Sequence, residues 1–311
     1  MSATNDESLQ PAPFRSILIF GMGMMGASLA QALRKHGGPG LRVDGAVRSE
    51  SSAAFLRGHN QADQVLVCPR EAQIADLDLG AYDLIVLGTP VKSVERLAAL
   101  IPADHPGIIT DMSSTRREVQ AAFAGRPDLK FVGSHPMCGS ENRGPTAARP
   151  DLFLNRLCIL TPLDDGEAIL TQRVRSFWES IGMRTFELSG PRHDEVLSYL
   201  SHGPHLLAGL LALWAHNEPV DTAIAAAPMP ITGGGFKDMA RIAGSNPEMW
   251  TDILISNRDF LATGLKEFQS QLAELIQQVE TGASEDWLAW FDRARDARNL
   301  LCGYPRESEQ K

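Results

Sequence analysis

Hydrophobic and polar positions divide the chain into two parts. Between residues 14 and 189, short apolar runs alternate with segments of helical period. The runs are SILIFG (16–21), LRVDGAV (41–47), YDLIVLGTP (82–90), GIITDM (107–112), LKFVGSHP (129–136), RLCILTP (156–162) and MRTFEL (183–188). Runs that are apolar throughout, not at every second position, predict strands covered on both faces, as in a mostly parallel sheet. ASLAQALRKHG and SVERLAALI have the spacing of crossover helices. After Pro191 the strand pattern stops. HDEVLSYLSHGPHLLAGLLALWAHN reads as a helix kinked at Gly203-Pro204. The segment from Asn246 to Glu280 reads as one very long helix, with Asn246 as cap, Pro247 in the first turn and Glu248 against the dipole. Its apolar residues, from Met249 to Val279, recur at steps of three and four and form one wide stripe. SEDWLAWFDRARDARNLL closes the pattern as a last helix, with Ser284 as the expected cap. The fold expected is an α/β, Rossmann-like N-terminal domain (14–189) behind a polar tail (1–13), followed by an all-α dimerisation domain (190–305).

Composition narrows the function. The chain has 311 residues, 43% apolar and 22% charged, with a formal net charge of -9. That balance lacks the basic footprint of a nucleic-acid binder but leaves room for a locally basic site that takes a small anion. Cys68, Cys138, Cys158 and Cys302 form no C-x-x-C pair, so neither a zinc site nor a disulfide framework is expected. The polar, acidic first residues do not read as a signal peptide, and no apolar run reaches the length of a membrane span. The expectation is a cytoplasmic protein with reduced thiols and no membrane partner.

The first apolar run ends in Gly21-x-Gly23-x-x-Gly26 and opens an amphipathic helix, with Met24 and Met25 inside the turn. In that context the glycines predict a dinucleotide site: a tight turn, close approach of a pyrophosphate, and close packing of helix on strand. The second strand ends in Arg48 and Ser49, where an NAD site usually carries a carboxylate; Asp44 lies earlier, inside the strand. A guanidinium there suits the 2′-phosphate of NADP, so NADP is expected over NAD; the other reading is a solvated Arg48 and a site open to either cofactor. Three further strand ends are polar: Thr89-Pro90, then Asp111 to Arg116, then Ser134-His135-Pro136. Ligands bind beyond such ends, and a histidine there has the proton affinity of a base at neutral pH. His202 and His205 stand three apart but lack the companions of a metal site, so no metal is expected. Gly233, Gly234 and Gly235 precede Lys237, Asp238 and Arg241; Arg241 reads equally as a carboxylate clamp or as a surface charge beside a helix cap.

Taken together and in this order, GMGMMGASLAQAL, DMSSTR, GSHPMCGSENRGP, RHDEVLSYLSHGPH and GGGFKDMARIAGSNPEMWTDILISN resemble the prephenate/arogenate dehydrogenases of tyrosine biosynthesis. The resemblance implies hydride transfer from C4 of a cyclohexadienol to NAD(P), with loss of the ring carboxylate as CO2. It makes His135 the acceptor of the C4 hydroxyl proton and Ser114 the residue that orients it. It places Glu141 at the pocket mouth, His205 near the substrate carboxylates and Arg241 on one of them. Gly234 and Trp250 would line the pocket, Trp250 from its own or the partner subunit. It also implies a homodimer through the C-terminal helices. Two positions depart from the family pattern: Gly203 where leucine is frequent, and Ser113 where glycine is. The length beyond the helical part leaves no room for a fused chorismate mutase or a regulatory domain, so any feedback by tyrosine is expected at the active site. Two alternatives are an enzyme acting on 4-amino-4-deoxyprephenate and a non-catalytic NADP-binding sensor. His135 argues against the first, and His135, Ser114 and Arg241 together argue against the second.

Overall fold

The computed structural model describes residues 9–139, 142–163 and 168–304. All seven apolar runs form strands. They are β1 (Ser16–Phe20), β2 (Arg42–Val47), β4 (Leu84–Leu87), β5 (Ile108–Asp111), β6 (Lys130–Pro136), β7 (Leu157–Pro162) and β8 (Arg184–Glu187), with a further short strand, β3 (Val65–Val67). The helices between them are α1 (Met24–His36), α2 (Glu50–Gly58), α3 (Val91–Leu100), α4 (Arg117–Ala124) and α5 (Ala168–Glu179). The strands form one sheet in the order β3-β2-β1-β4-β5-β6-β7-β8. All neighbours are parallel except β6 and β7, which run antiparallel with His135 opposite Ile159.

Alternate residues of the same strands feed two cores, which is why the runs are apolar without interruption. Ile17, Ile19, Val43, Leu84 and Val86 pack with Leu29 of α1 and Val174, Phe177 and Trp178 of α5. Leu18, Phe20, Ile85, Leu87 and Ile109 pack on the other face with Val94 and Leu97 of α3 and Phe123 of α4. Phe123 lies flat on Phe131 at 3.7 Å between ring centres. Strand order reverses between β1 and β4, and the carboxyl ends on either side of that point open a crevice.

The turn after β1 needs its glycines. Gly21 has φ +88°, and a Cβ there would stand 2.6 Å from the carbonyl oxygen of Gly88. A Cβ on Gly26 would stand 2.2 Å from the carbonyl oxygen of Gly21, so α1 is seated directly on the strand end. At Gly23 nothing lies within 4 Å of the same position.

The remaining helices are α6 (Gly190–Leu197), α7 (Gly203–Ala215), α8 (Glu218–Ala226), α9 (Gly234–Ala240), α10 (Pro247–Ser256), α11 (Arg258–Thr281) and α12 (Ser284–Cys302). No strand follows β8 among the described residues. Three expectations change. The irregularity near Gly203-Pro204 is a π-helical turn over Ser198–His202 that joins α6 to α7. The single long helix is two, interrupted at Asn257, whose side chain is spent on bonds to the Asp194 carbonyl and to His202. Ser284 is the first residue of α12 and the cap position is Ala283. One compact unit ends at Leu261 and a second begins at Ala262. Residue 190 thus marks where strands give way to helices, while packing continues across it. Connections include α6 against α4, the Lys92–Asp252 ion pair at 2.5 Å, the Ser256 hydroxyl on Thr115, and the Arg116 and Arg117 N–H groups on Asp194.

Gly26→Ala forces a methyl into a backbone oxygen and is expected to cost about 1–3 kcal/mol or more of stability. Gly23→Ala, with open space around it, is expected to cost less than about 1 kcal/mol, the difference between the two residues at a helix cap. Urea denaturation of the two variants checks the contrast.

Candidate active site

The crevice at the carboxyl edge of β1, β2 and β4 is a cleft of about 450 Å³ lined by Gly21, Gly23, Arg48, Ser49, Thr89 and Pro90, among others. α1 begins beside it, and Gly23 at its cap position makes no side-chain bond, so the first N–H groups of the helix are left for a ligand. Met24 and Met25 supply that first turn, but their side chains lean onto the apolar core and do not line the cleft. The Thr89 hydroxyl is buried beside the cleft without a partner among the described residues. An uncapped helix start, a glycine with open space above it and an orphaned hydroxyl fit a dinucleotide.

The far end of the cleft carries the cofactor preference. Ser49 caps α2, accepting from the Ser52 N–H at 3.2 Å, and its hydroxyl meets those of Ser51 and Ser52. Arg48 is exposed beside it. Glu50, the nearest carboxylate in sequence, is held by Arg57 at 2.5 Å. Asp44 is buried in mid-strand under Tyr82, Arg42 and the N–H of Gln64, so no part of it faces a ribose.

β5 and β6 pair only through Ile108–Lys130 and Ile109–Phe131, and beyond these they diverge. The gap holds the fully buried guanidinium of Arg116. Its Nε donates to the Thr115 carbonyl. One terminal nitrogen donates to Asp111 Oδ1 and the Ser134 carbonyl, the other to Asp111 Oδ2 and the Ser113 carbonyl. All five N–H bonds are therefore satisfied. Asp111 also accepts from the Ser134 N–H at 3.0 Å, which fixes the backbone next to His135.

His135 is buried at the end of β6. Its Nδ1 lies 2.8 Å from Nε2 of His193 in α6, and Nδ1 of His193 lies 2.9 Å from Asp194 Oδ1. Asp194 also accepts the N–H groups of Arg116 and Arg117, at the start of α4. Burial pushes the His135 imidazole well below its ordinary value, and the neighbouring charges of His193, Arg116 and His202 push the same way. Burial also lowers His193, against the opposing hydrogen bond to Asp194. For Asp194 burial works upward, but the bonds from His193, Arg117 and Arg116 outweigh it and hold the carboxyl below its usual range. At neutral pH both histidines are neutral and Asp194 is charged.

His202 leaves the π-helical turn into the same group. Its Nδ1 is 2.9 Å from the Asn257 amide nitrogen, and burial lowers it to about 4. His205 follows one turn on, its ring stacked on Trp250 of the same chain at 3.4 Å, its Nε2 3.2 Å from the Ser245 hydroxyl. Burial lowers His205 too, and the nearby charge of Arg241 adds to it. Gly234 opens α9 and Arg241 follows its last residue, at the start of a 3-10 turn over Arg241–Gly244; both are exposed.

The expected residues therefore fall into two groups: those of the dinucleotide cleft, and His135, His205 and Arg241, between which His193 and His202 stand. Ser114 is half-buried in the loop after β5, and among the described residues no hydrogen bond joins it to His135, whose Nδ1 meets His193. Glu141 lies outside the described residues. His193, Asp194 and Asn257 received no role from the sequence. The signal was present for the first two, since RHDE sits beside the S-H-x-P-H block, but nothing in spacing tied them to a strand end 58 positions earlier. Among the described residues no group of side chains has the make-up of a metal site.

Comparison with known proteins agrees with this geometry. Residues 29–187 match the profile of the prephenate dehydrogenase nucleotide-binding domain, and residues 189–293 match that of the prephenate dehydrogenase dimerization domain. The chain is 32% identical to a prephenate dehydrogenase of Bacillus subtilis, over 92% of this chain and 76% of the relative. It is 31% identical to a cyclohexadienyl dehydrogenase of Zymomonas mobilis, over 93% and 96%. The solved prephenate dehydrogenase of A. aeolicus, in complex with hydroxyphenyl propionate and NAD+, superposes with a TM-score of 0.77 at 27% identity, over 95% of this chain and all of that one. With both profiles matched in order on a fold of the same shape, the chain belongs to the prephenate dehydrogenase family.

Proposed function

We propose that this chain is an NAD(P)-dependent dehydrogenase that oxidatively decarboxylates prephenate, giving 4-hydroxyphenylpyruvate, or arogenate, giving tyrosine. The observation that carries the reading is the placing of one neutral, buried histidine, His135, at the carboxyl end of β6, on the same edge of the sheet as the dinucleotide cleft. The relatives above are named for prephenate and cyclohexadienyl substrates, and one is solved with NAD+ and a hydroxyphenyl acid.

When bound, the nicotinamide supplies the hydride acceptor. His135 takes the proton of the C4 hydroxyl, which raises the driving force for hydride departure. Burial and the charge of Arg116 keep His135 unprotonated and ready for that step. Arg241 anchors a substrate carboxylate, with His205 held neutral beside it. Orientation of this kind lowers a barrier by fixing the reacting atoms before the step. Loss of CO2 leaves an aromatic ring, which makes the reaction effectively irreversible. A 4-amino substrate has no C4 hydroxyl for His135, and a non-catalytic sensor has no use for a base, so neither alternative is favoured.

NADP is the preferred cofactor in this reading. Support comes from Arg48 at the end of β2, from the serine cluster at the start of α2, and from the engagement of Asp44 and Glu50 elsewhere. The functional unit is a homodimer. In the unit beginning at Ala262, Phe268, Leu272, Ile276 and Val279 form an exposed apolar stripe along α11. In the unit ending at Leu261, Leu210, Leu213 and Trp214 stand exposed on α7. The stretch Gly190–Ala215 is apolar and long enough to cross a membrane by length and composition. It carries His193, Asp194 and His202, and a second copy is the proposed cover for its apolar face.

Steady-state assays with prephenate and arogenate, each with NAD and NADP, test the assignment; turnover is expected in at least one pairing, and none in all four would overturn it. Arg48→Asp is expected to lower the NADP-to-NAD ratio of kcat/KM by at least about tenfold, the worth of one charged hydrogen bond; an unchanged ratio removes Arg48 from the site. Protonation of His135 removes the base, and its proton affinity is depressed, so kcat/KM is expected to fall on the acid side only below about pH 6.5. His135→Asn is expected to lower kcat by at least about a hundredfold.

A further inference from the structure

The hydrogen bonds around His135 determine which of its nitrogens holds a proton. Asp194 is charged and only accepts: Oδ1 takes the N–H of Arg116 and Oδ2 that of Arg117. The contact from Oδ1 to Nδ1 of His193 therefore requires a proton on that nitrogen. His193 is neutral, so its Nε2 carries a lone pair. The 2.8 Å contact from that nitrogen to Nδ1 of His135 then requires a proton on His135 Nδ1. His135 is neutral as well, so its Nε2 is left as a free acceptor.

The neighbouring histidine is fixed the opposite way. The Asn257 amide nitrogen donates to the Asp194 carbonyl, which cannot donate in return, and so its orientation is settled. Its other N–H reaches His202 Nδ1, which must accept, and this puts the proton of His202 on Nε2. One ring of the site is thus set as an acceptor and the other as a donor by two different side chains.

We propose that His193 and Asp194 are positioning residues that hold His135 as the Nδ1–H tautomer and leave its Nε2 to take the substrate proton. In the step, the O–H bond at C4 breaks as the N–H bond at His135 Nε2 forms. The electron pair of the broken O–H bond stays on oxygen and forms the carbonyl as the hydride leaves C4. No proton has to move along the relay; the imidazolium keeps its Nδ1–H bond to His193, with the charge of Asp194 behind it. The other groups that face His135 are Arg116 and Asp111 between β5 and β6, His202 from the π-helical turn, and Cys158 on β7. Arg116 and Asp111 do not take the Nδ1 proton, because Arg116 donates all five of its N–H groups and Asp111 is spent on Arg116 and the Ser113 and Ser134 N–H groups.

The kinetic half of the test rests on the function proposed above; the spectroscopic half does not. Protein labelled with 15N-histidine and saturated with NADP at about pH 8, where the rings are neutral, gives long-range 1H–15N spectra that separate the two tautomers. His135→Asn identifies the His135 signals. The expected result is a protonated Nδ1 and a bare Nε2 on His135. The same ring found protonated on Nε2 would overturn the proposal, whatever the variants do. Asp194→Asn, which can present an N–H to His193, is expected to invert or mix the His135 tautomer. A His135 tautomer unchanged in that variant while it still binds NADP also overturns it. His193→Phe is expected to lower kcat at least about a hundredfold with KM within about threefold. His193→Gln, whose carbonyl can accept from His135 and whose amide can donate to Asp194, is expected to stay within about tenfold of the parent. Full activity in His193→Phe counts against the relay. An inactive parent with the expected tautomer would overturn the substrate assignment and support the relay.

Discussion

Five N–H groups on Arg116 meet five acceptors where β5 and β6 come apart. β5 and β6 stop pairing after Ile109, and each further residue would leave backbone groups without partners. The guanidinium takes up the carbonyls of Ser113, Thr115 and Ser134, while Asp111 takes the guanidinium and the Ser134 N–H. A buried ion pair stabilises only when the remaining donors and acceptors are also satisfied, and here they are. The consequence is geometric. The end of β6 pairs with β7 and no longer with β5, and there the backbone of His135 lies opposite Ile159 while its ring reaches His193 of α6.

The helical segment is fixed to that opening by one carboxylate. Asp194 collects the first N–H groups of α4, so it sits at the positive end of a helix and gives the chain a rigid join between sheet and helices. The same residue offers its carbonyl to Asn257. Asn257 in turn breaks what would have been one long helix and reaches His202 in the π-helical turn. Irregular backbone at both points is where the site is. A straight α6–α7 helix and an unbroken α10–α11 helix would satisfy local propensity better, and neither would bring His202 to Asn257.

The sequence carried most of the fold because burial of the inner strands on both faces leaves a clear mark: each of the seven largely apolar runs forms a strand, although β8, at the sheet edge, is mostly exposed. It hid β3, whose three residues are too few to show a pattern, and it did not show that β7 runs against β6. It hid the break at Asn257, since Leu254 and Leu261, two helical turns apart, keep to one face across it. The cleft was legible because the glycine turn is a local device, with turn, cap and helix in one short segment. His135 was legible as a strand end. Its orienting partner was not: Ser114 lies close by in the loop sequence, while His193 and Asp194 come from another domain of the pattern and meet His135 only through folding. Arg116 was seen as one polar residue among several, because complete burial of a charge is invisible until its acceptors are assembled.

Electrostatics then explains why the site holds so many histidines and so few free charges. A cation on His135, His193 or His202 would stand near the others and near Arg116, and each is held neutral chiefly by burial. A dicarboxylate entering beside them pulls the other way, because negative charge favours protonated imidazole. A base buried next to substrate carboxylates with no compensating cation would be protonated by its own substrate and lost. Arg116, buried, adds to burial in opposing that pull at His135, while Arg241, exposed, is the cation proposed to meet the carboxylate. In the proposed site, burial, with Arg116 in the gap between β5 and β6 adding to it, keeps the base neutral, while Arg241 binds the charge that would otherwise protonate it.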